Sequence, residues 1–190
     1  MPANTIRYVA LLRAINVGGH VVKMEVLRKH FTKMGFRNVE TFIASGNVLF
    51  DATEPARSLE ERIAFELERA LGYPVGTFVR TPTELAAVAS HEAFPIDVID
   101  PAKHSLYIGF LGAKPTAETI RKVVALRTTV DELHIHKREL YWGCRVRYSE
   151  TEIKGPALAR ALATEMTVRS ITTVRKLSAI LSSTPRASKK

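Results

Sequence analysis

One cysteine, Cys144, stands in 190 residues. No intramolecular disulfide is available, and a lone thiol suits a reducing compartment. No apolar run approaches the ~20 residues needed to cross a bilayer. The first sixteen residues, MPANTIRYVALLRAIN, lack the basic start, unbroken apolar middle and small-residue cleavage site of a secretory leader. These absences make the cytoplasm the expected location and remove the membrane from the expected partners. Neither the G-x-G-x-x-G nor the G-x-x-x-x-G-K-[ST] pattern occurs, so the sequence assigns no nucleotide and no other cofactor. The K/R-G-F/Y-G/A-F-V-x-F/Y run of RNA-recognition motifs is missing too.

Acidic residues are the scarce sign of charge, 19 against 28 Lys and Arg, for a net charge of +9. The imbalance sits late in the chain: residues 1–135 carry an excess of about one positive charge and residues 136–190 the remainder. Such asymmetry attracts phosphates or acidic partners, and it also serves solubility. Three of the late charges fall in STPRASKK, residues 183–190, which reads as a disordered tail. Hydrophobic content of 46% with 25% charged residues is ordinary for a globular protein. The length admits one large domain or two small ones.

Patterning favours two. Residues 8–12 are apolar throughout, as in a central strand buried on both faces. Met24, Leu27, Phe31 and Met34 recur at helical spacing, and Gly35 follows as a stop. Residues 39–51 give two β-rich runs around Ser45-Gly46, a hairpin signal. Ser58 and Glu61 have capping-box spacing ahead of Leu59, Ile63, Leu67 and Leu71, and residues 75–80 form a further strand. A second capping box, Thr81-Pro82-Thr83-Glu84, starts a short helix. Residues 91–104 read as a linker. The order then repeats: a strand at 105–112, a helix from Pro115, strands at 132–136 and 139–143, a helix from Gly155-Pro156, a strand at 167–170 and a terminal helix through Val174, Leu177 and Leu181. The expectation is an α+β protein of tandem ferredoxin-like βαββαβ units with antiparallel sheets and a C-terminal helix, residues 1–90 and 105–182.

In a βαββαβ sheet the third strand lies between the first and second. The end of the first strand, near Asn16, then shares a rim with the start of the third, at Asn47. Gly18-Gly19, Lys23 at the first helix start and the Ser45-Gly46-Asn47 turn gather there. Free helix-start amides, glycines that permit close approach and the cations Lys23 and Arg13 are the parts of a small-anion site, with Asn16, Ser45 and Asn47 as neutral hydrogen-bonding groups. The same residues also serve as plain turn chemistry. No nucleophile or general base is assigned, so whether the chain is an enzyme stays open.

Other candidates are weaker. His134 and His136 share one face of a strand, as two metal ligands do, but no third ligand is near in sequence, and no metal is assigned. Cys144 lacks a Cys-His-Asn setting. Arg145 and Arg147, with Trp142 or Tyr148 as a stacking ring, sketch a nucleic-acid surface, the competing partner class. A scaffold that forms a homodimer through open sheet faces is the third.

Residues 8–50 closely resemble the opening of the bacterial family catalogued as domain of unknown function 1697. The strongest marks are Leu12-Arg13-x-Ile15-Asn16-Val17-Gly18-Gly19 and Ser45-Gly46-Asn47, and the likeness runs along nearly the whole chain. The resemblance implies a ferredoxin-like α+β architecture with a duplicated unit and no established activity. It carries Arg13, Asn16, Gly18, Gly19, Lys23, Met24, Ser45, Gly46 and Asn47 as family positions. Members tend towards Arg-Asn-Trp-x-Thr near the carboxyl end, where this chain has Arg169-Ser170-Ile171-Thr172-Thr173. Arg169 is therefore kept as a ligand-binding candidate, and the lost Asn-Trp pair puts that side of a family site in doubt.

Overall fold

The structure, a computed structural model, describes residues 5–183. The expected tail at 183–190 lies outside the described residues except for Ser183, which closes the last helix. The chain divides into two compact units. Described residues up to Ala87 group with those from Arg175 on, and Val88–Val174 forms the second unit. The 91–104 segment thus belongs to the second unit rather than standing between halves.

The first unit runs β1 (Ile6–Leu12), α1 (Met24–Lys33), β2 (Arg37–Phe42), β3 (Asn47–Ala52), α2 (Ala56–Leu71), β4 (Thr77–Arg80) and α3 (Pro82–Ser90, whose last turn passes into the second unit). Its sheet order is β2-β3-β1-β4, with every pairing antiparallel. That is the ferredoxin-like arrangement expected from the element order. Strand alternation sets the layers: Tyr8, Ala10 and Leu12 on β1 and Val48, Phe50 and Ala52 on β3 meet Leu27 and Phe31 of α1 and Leu59, Ile63 and Leu67 of α2. Val9 and Leu11, pointing the other way, are also fully buried, as the uniformly apolar run required.

Local chemistry explains the boundaries. Gly35 takes φ +86° just past α1, the left-handed position that ends a helix. The Thr81 capping box is formed: Thr81 N–H donates to Glu84 Oε2 at 2.9 Å and Glu84 N–H to Thr81 Oγ1 at 3.2 Å. The Ser58 box is not. Helix α2 begins at Ala56 behind Pro55, with no side-chain cap, so Ser58 sits inside the first turn. Proline holds φ near the helical value and fixes the start three residues early.

The second unit runs β5 (Ser105–Leu111), α4 (Ala117–Val124), β6 (Asp131–His136), β7 (Glu139–Cys144), a 3₁₀ turn (Tyr148–Glu150), α5 (Gly155–Leu162) and β8 (Met166–Ser170), and it ends in the first turn of α6 (Ile171–Ser183), whose residues from Arg175 on group with the first unit. Its sheet order, β6-β7-β5-β8, repeats the first. Thr116 rather than Pro115 caps α4, accepting from Thr119 N–H at 3.1 Å. Leu133, Ile135, Leu140, Trp142 and Cys144 pack towards Val123, Leu158 and Leu162 of the helices. Residues 134, 136, 141 and 143 therefore face the opposite side of the sheet. There Ile99 presses on Gly143, where an added Cβ would lie 2.5 Å from Ile99 Cγ1. No described helix is long and apolar enough to cross a membrane.

Candidate functional sites

The rim anticipated from topology is assembled in the first unit. Leu12 N–H donates to Gly46 O at 2.7 Å, tying the end of β1 to the hairpin between β2 and β3. Beyond it the chain bends through left-handed residues at Ala14 (φ +62°), Asn16 (+55°), Gly18 (+61°) and Gly19 (+87°) before α1 starts. Asn16 is the staple of this loop. Its Oδ1 accepts from Val22 N–H at 2.7 Å, and its Nδ2 donates to Val22 O at 3.2 Å and to Ala44 O at 2.8 Å. Asn47, fully buried, donates from Nδ2 to Phe42 O at 3.0 Å and to Ser45 Oγ at 2.9 Å. Gly46 has φ +75°, and a Cβ there would sit 3.0 Å from that of Ile15. The neutral members of the set, Asn16, Ser45, Gly46 and Asn47, thus shape the rim.

The charged and open members point outward. Arg13, Gly18, Gly19 and Lys23 are exposed. Among the described residues nothing lies within 4 Å of where a Cβ would project from either glycine, so the backbone is open to an approaching group. Lys23 is the N-cap of α1, and no side chain caps that helix. Its first-turn amides and the positive end of its dipole follow the glycine bend by four residues in the chain. The His20 ring stacks on Tyr73 at 3.7 Å between centroids and closes one side of the loop. Val17, Val21 and Ile43 add exposed apolar surface around it.

Arg169 lies in the second unit, on β8. It is buried, donates to Thr167 Oγ1 at 2.9 Å and Val168 O at 2.8 Å, and burial lowers its pKa to about 10. A cleft of about 600 Å³ between α1 and α2, lined by His30, Lys33, Met34, Arg62, Glu66 and Arg69, carried no sequence signal. His30 and Lys33 occupy the last turn of α1, where cations complement the helix dipole, and Arg62 bonds to Met34 O and Glu54. Its charges are accounted for structurally.

Half of the segment sketched for nucleic acid is built inward, while Arg147 and Tyr148 stay exposed. Trp142 is buried and donates from Nε1 to Asp131 Oδ1 at 2.8 Å, and Arg145 pairs with Glu132 at 3.2 Å. Tyr148 packs against Trp142 and Tyr107. Asp131 is the centre of this arrangement, accepting also from Thr151 Oγ1 (2.7 Å), Glu152 N–H (2.9 Å) and Thr128 Oγ1 (3.1 Å). Burial alone pushes its pKa up, but these bonds outweigh it and hold the carboxyl below its ordinary value. Cys144 is buried and its thiol pushed up to about 12 by burial and then Asp131, which makes it a poor nucleophile at neutral pH.

The edge-strand histidines, His134 half-buried and His136 exposed, have a third histidine beside them. His91, just past α3, stacks on His136 at 4.3 Å and 17° and lies 5.6 Å from His134. One ring nitrogen of each of the three lies within 4.8 Å of the others. Sequence reasoning missed His91 because it precedes His134 by more than forty residues in an aperiodic segment; only the path of that segment across the sheet brings it in. Burial, then His136, His134 and Lys137, hold His91 below the ordinary imidazole value. Burial and His136 do the same to His134.

Comparison with known proteins adds family and fold. A family model described as "Protein of unknown function (DUF1697)" matches residues 6–141. The matched span takes in the whole rim and ends before Arg169. A search of the curated proteins found no match. Among solved structures the chain is similar to the conserved bacterial protein SP0830 from Streptococcus pneumoniae, at 23% identity and a TM-score of 0.72 over 94% of this chain and 99% of that one. At that identity the likeness speaks for the fold.

Proposed function

The chain belongs to the DUF1697 family of proteins of unknown function, and from that premise we propose that it binds a small anionic ligand, bearing phosphate or carboxylate, at the rim of the first unit. The observation that carries the reading is the uncapped start of α1 following the open Gly18-Gly19 bend. Backbone amides there and the Lys23 ammonium receive the oxyanion, with Arg13 adding charge at the start of the loop. Asn16, Ser45, Gly46 and Asn47 hold the bend in place without touching the ligand. Val17, Val21 and Ile43 suit a ligand with an apolar portion. The reading places the protein in the cytoplasm, where a single buried thiol needs no partner.

The test is a thermal-shift and calorimetric titration with inorganic phosphate and a panel of phosphorylated and carboxylated metabolites. Binding of N but not U raises the melting temperature with ligand concentration. At least one compound should do so in the wild type and fail to do so in Lys23→Ala, while the ligand-free variant melts with the wild type. If no compound shifts the melting temperature, or the shift persists unchanged in Lys23→Ala, the proposal is wrong.

A further inference from the structure

The second unit carries a separate constellation that the rim does not use. His134 and His136 project from the edge strand β6 on the sheet face away from α4 and α5, and the segment after α3 crosses that face and delivers His91. The Nε2 atom of His91 is buried and has no hydrogen-bond partner among the described residues, a costly state for a ring nitrogen unless something else occupies it. Tyr141, itself buried, stands 4.8 Å from the His91 ring, and Phe94 stands edge-on to His134 at 6.3 Å. These aromatic walls restrict the two inner imidazoles.

We propose that His91, His134 and His136 bind one divalent transition-metal ion of the zinc class through three imidazole nitrogens, leaving a fourth position to water or to an acidic ligand. Imidazole is the ligand of borderline ions such as zinc, nickel and copper and a poor one for magnesium or calcium. Three histidines with no cysteine leave the coordination open, the pattern of sites that activate water rather than of structural zinc. Both inner histidines favour the neutral, ligating form. In a tetrahedral site with metal–nitrogen bonds of about 2.05 Å the nitrogens stand about 3.3 Å apart. From the observed limit of 4.8 Å the rings close by roughly 1.5 Å. Rotation about the side-chain torsions of the exposed His136 and a smaller turn of the other two accomplish that without moving the strand.

The experiment uses the full chain without an affinity tag, stripped with a chelator, dialysed and titrated with Zn²⁺ by calorimetry, with metal content measured directly. The expected result is one zinc per chain in the wild type, lost in His91→Gln and in His134→Gln whose metal-free melting temperatures match the wild type. Co²⁺ in place of zinc should give the visible absorption of a four-coordinate site. Should the variants fail to fold, the wild type decides alone. Zn²⁺ should shield histidines 91, 134 and 136 from diethyl pyrocarbonate, read by peptide mass spectrometry. Absence of zinc binding by the folded wild type, binding that survives both substitutions, or shielding of other histidines instead overturns the proposal.

Discussion

Asn16 and Lys23 stand seven residues apart on one loop and do opposite work. Asn16 makes three side-chain bonds that close the loop on itself and on the hairpin, each worth about 0.5–1.5 kcal/mol net. Asn16→Ala should therefore lower unfolding stability in urea by about 1.5–4.5 kcal/mol. Lys23 is exposed, so Lys23→Ala should leave the urea midpoint within experimental error while removing anion binding. Gly46 is constrained twice, by φ +75° and by the closeness of Ile15. Gly46→Ala should cost about 1–3 kcal/mol in the same assay, the range for strained backbone positions. A neutral result there would mean that the hairpin is not pressed against the β1 end as described.

Among the elements, the best-determined are those whose local chemistry agrees with their packing. The Thr81-Glu84 box was legible because both partners and the proline act within four residues, and Thr81→Ala should cost about 1 kcal/mol. The Ser58 box had equal spacing and did not form, because Pro55 starts α2 before serine can cap it. Element order was readable from local pattern and both sheet topologies from that order, since helices such as α1 and α2 bury one regular face and uniformly apolar runs such as β1 are buried on both. The histidine cluster was not, since it depends on the path of residues 91–104, which have no period. Asp131 supplies the second unit with a pH signature. Its folded pKa lies below the unfolded value of about 3.9, so its contribution to stability is full above that pH and is lost as pH falls through the lower, folded value. Thermal melts from pH 7 to pH 2 should show this acid limb in the wild type and a shallower one in Asp131→Asn. Identical limbs would remove Asp131 from the centre of that network.

At the scale of the whole molecule, charge is the property most easily over-read. The late excess of positive residues suggests nucleic acid from the sequence, yet of the two rings offered for stacking Trp142 is buried and bonded to Asp131, and Arg145 pairs with Glu132, which leaves only Tyr148 and Arg147 exposed. What remains is a general positive field, which gives sequence-independent attraction that salt removes. Oligonucleotide binding measured by fluorescence anisotropy should therefore disappear between about 50 and 200 mM salt. Binding that persists at the higher salt would restore the nucleic-acid reading. The rim followed a different logic, since topology gathered the anticipated residues but divided them into those that shape the bend and those that stay open.

The central claim concerns that division, and backbone amide shifts read it most directly. Titrating ¹⁵N-labelled protein with phosphate should move the amides of Gly18, Gly19 and Met24 through Val26 saturably, and leave them still in Lys23→Ala. Shifts that never saturate, or that map to the α1–α2 cleft instead, would contradict it.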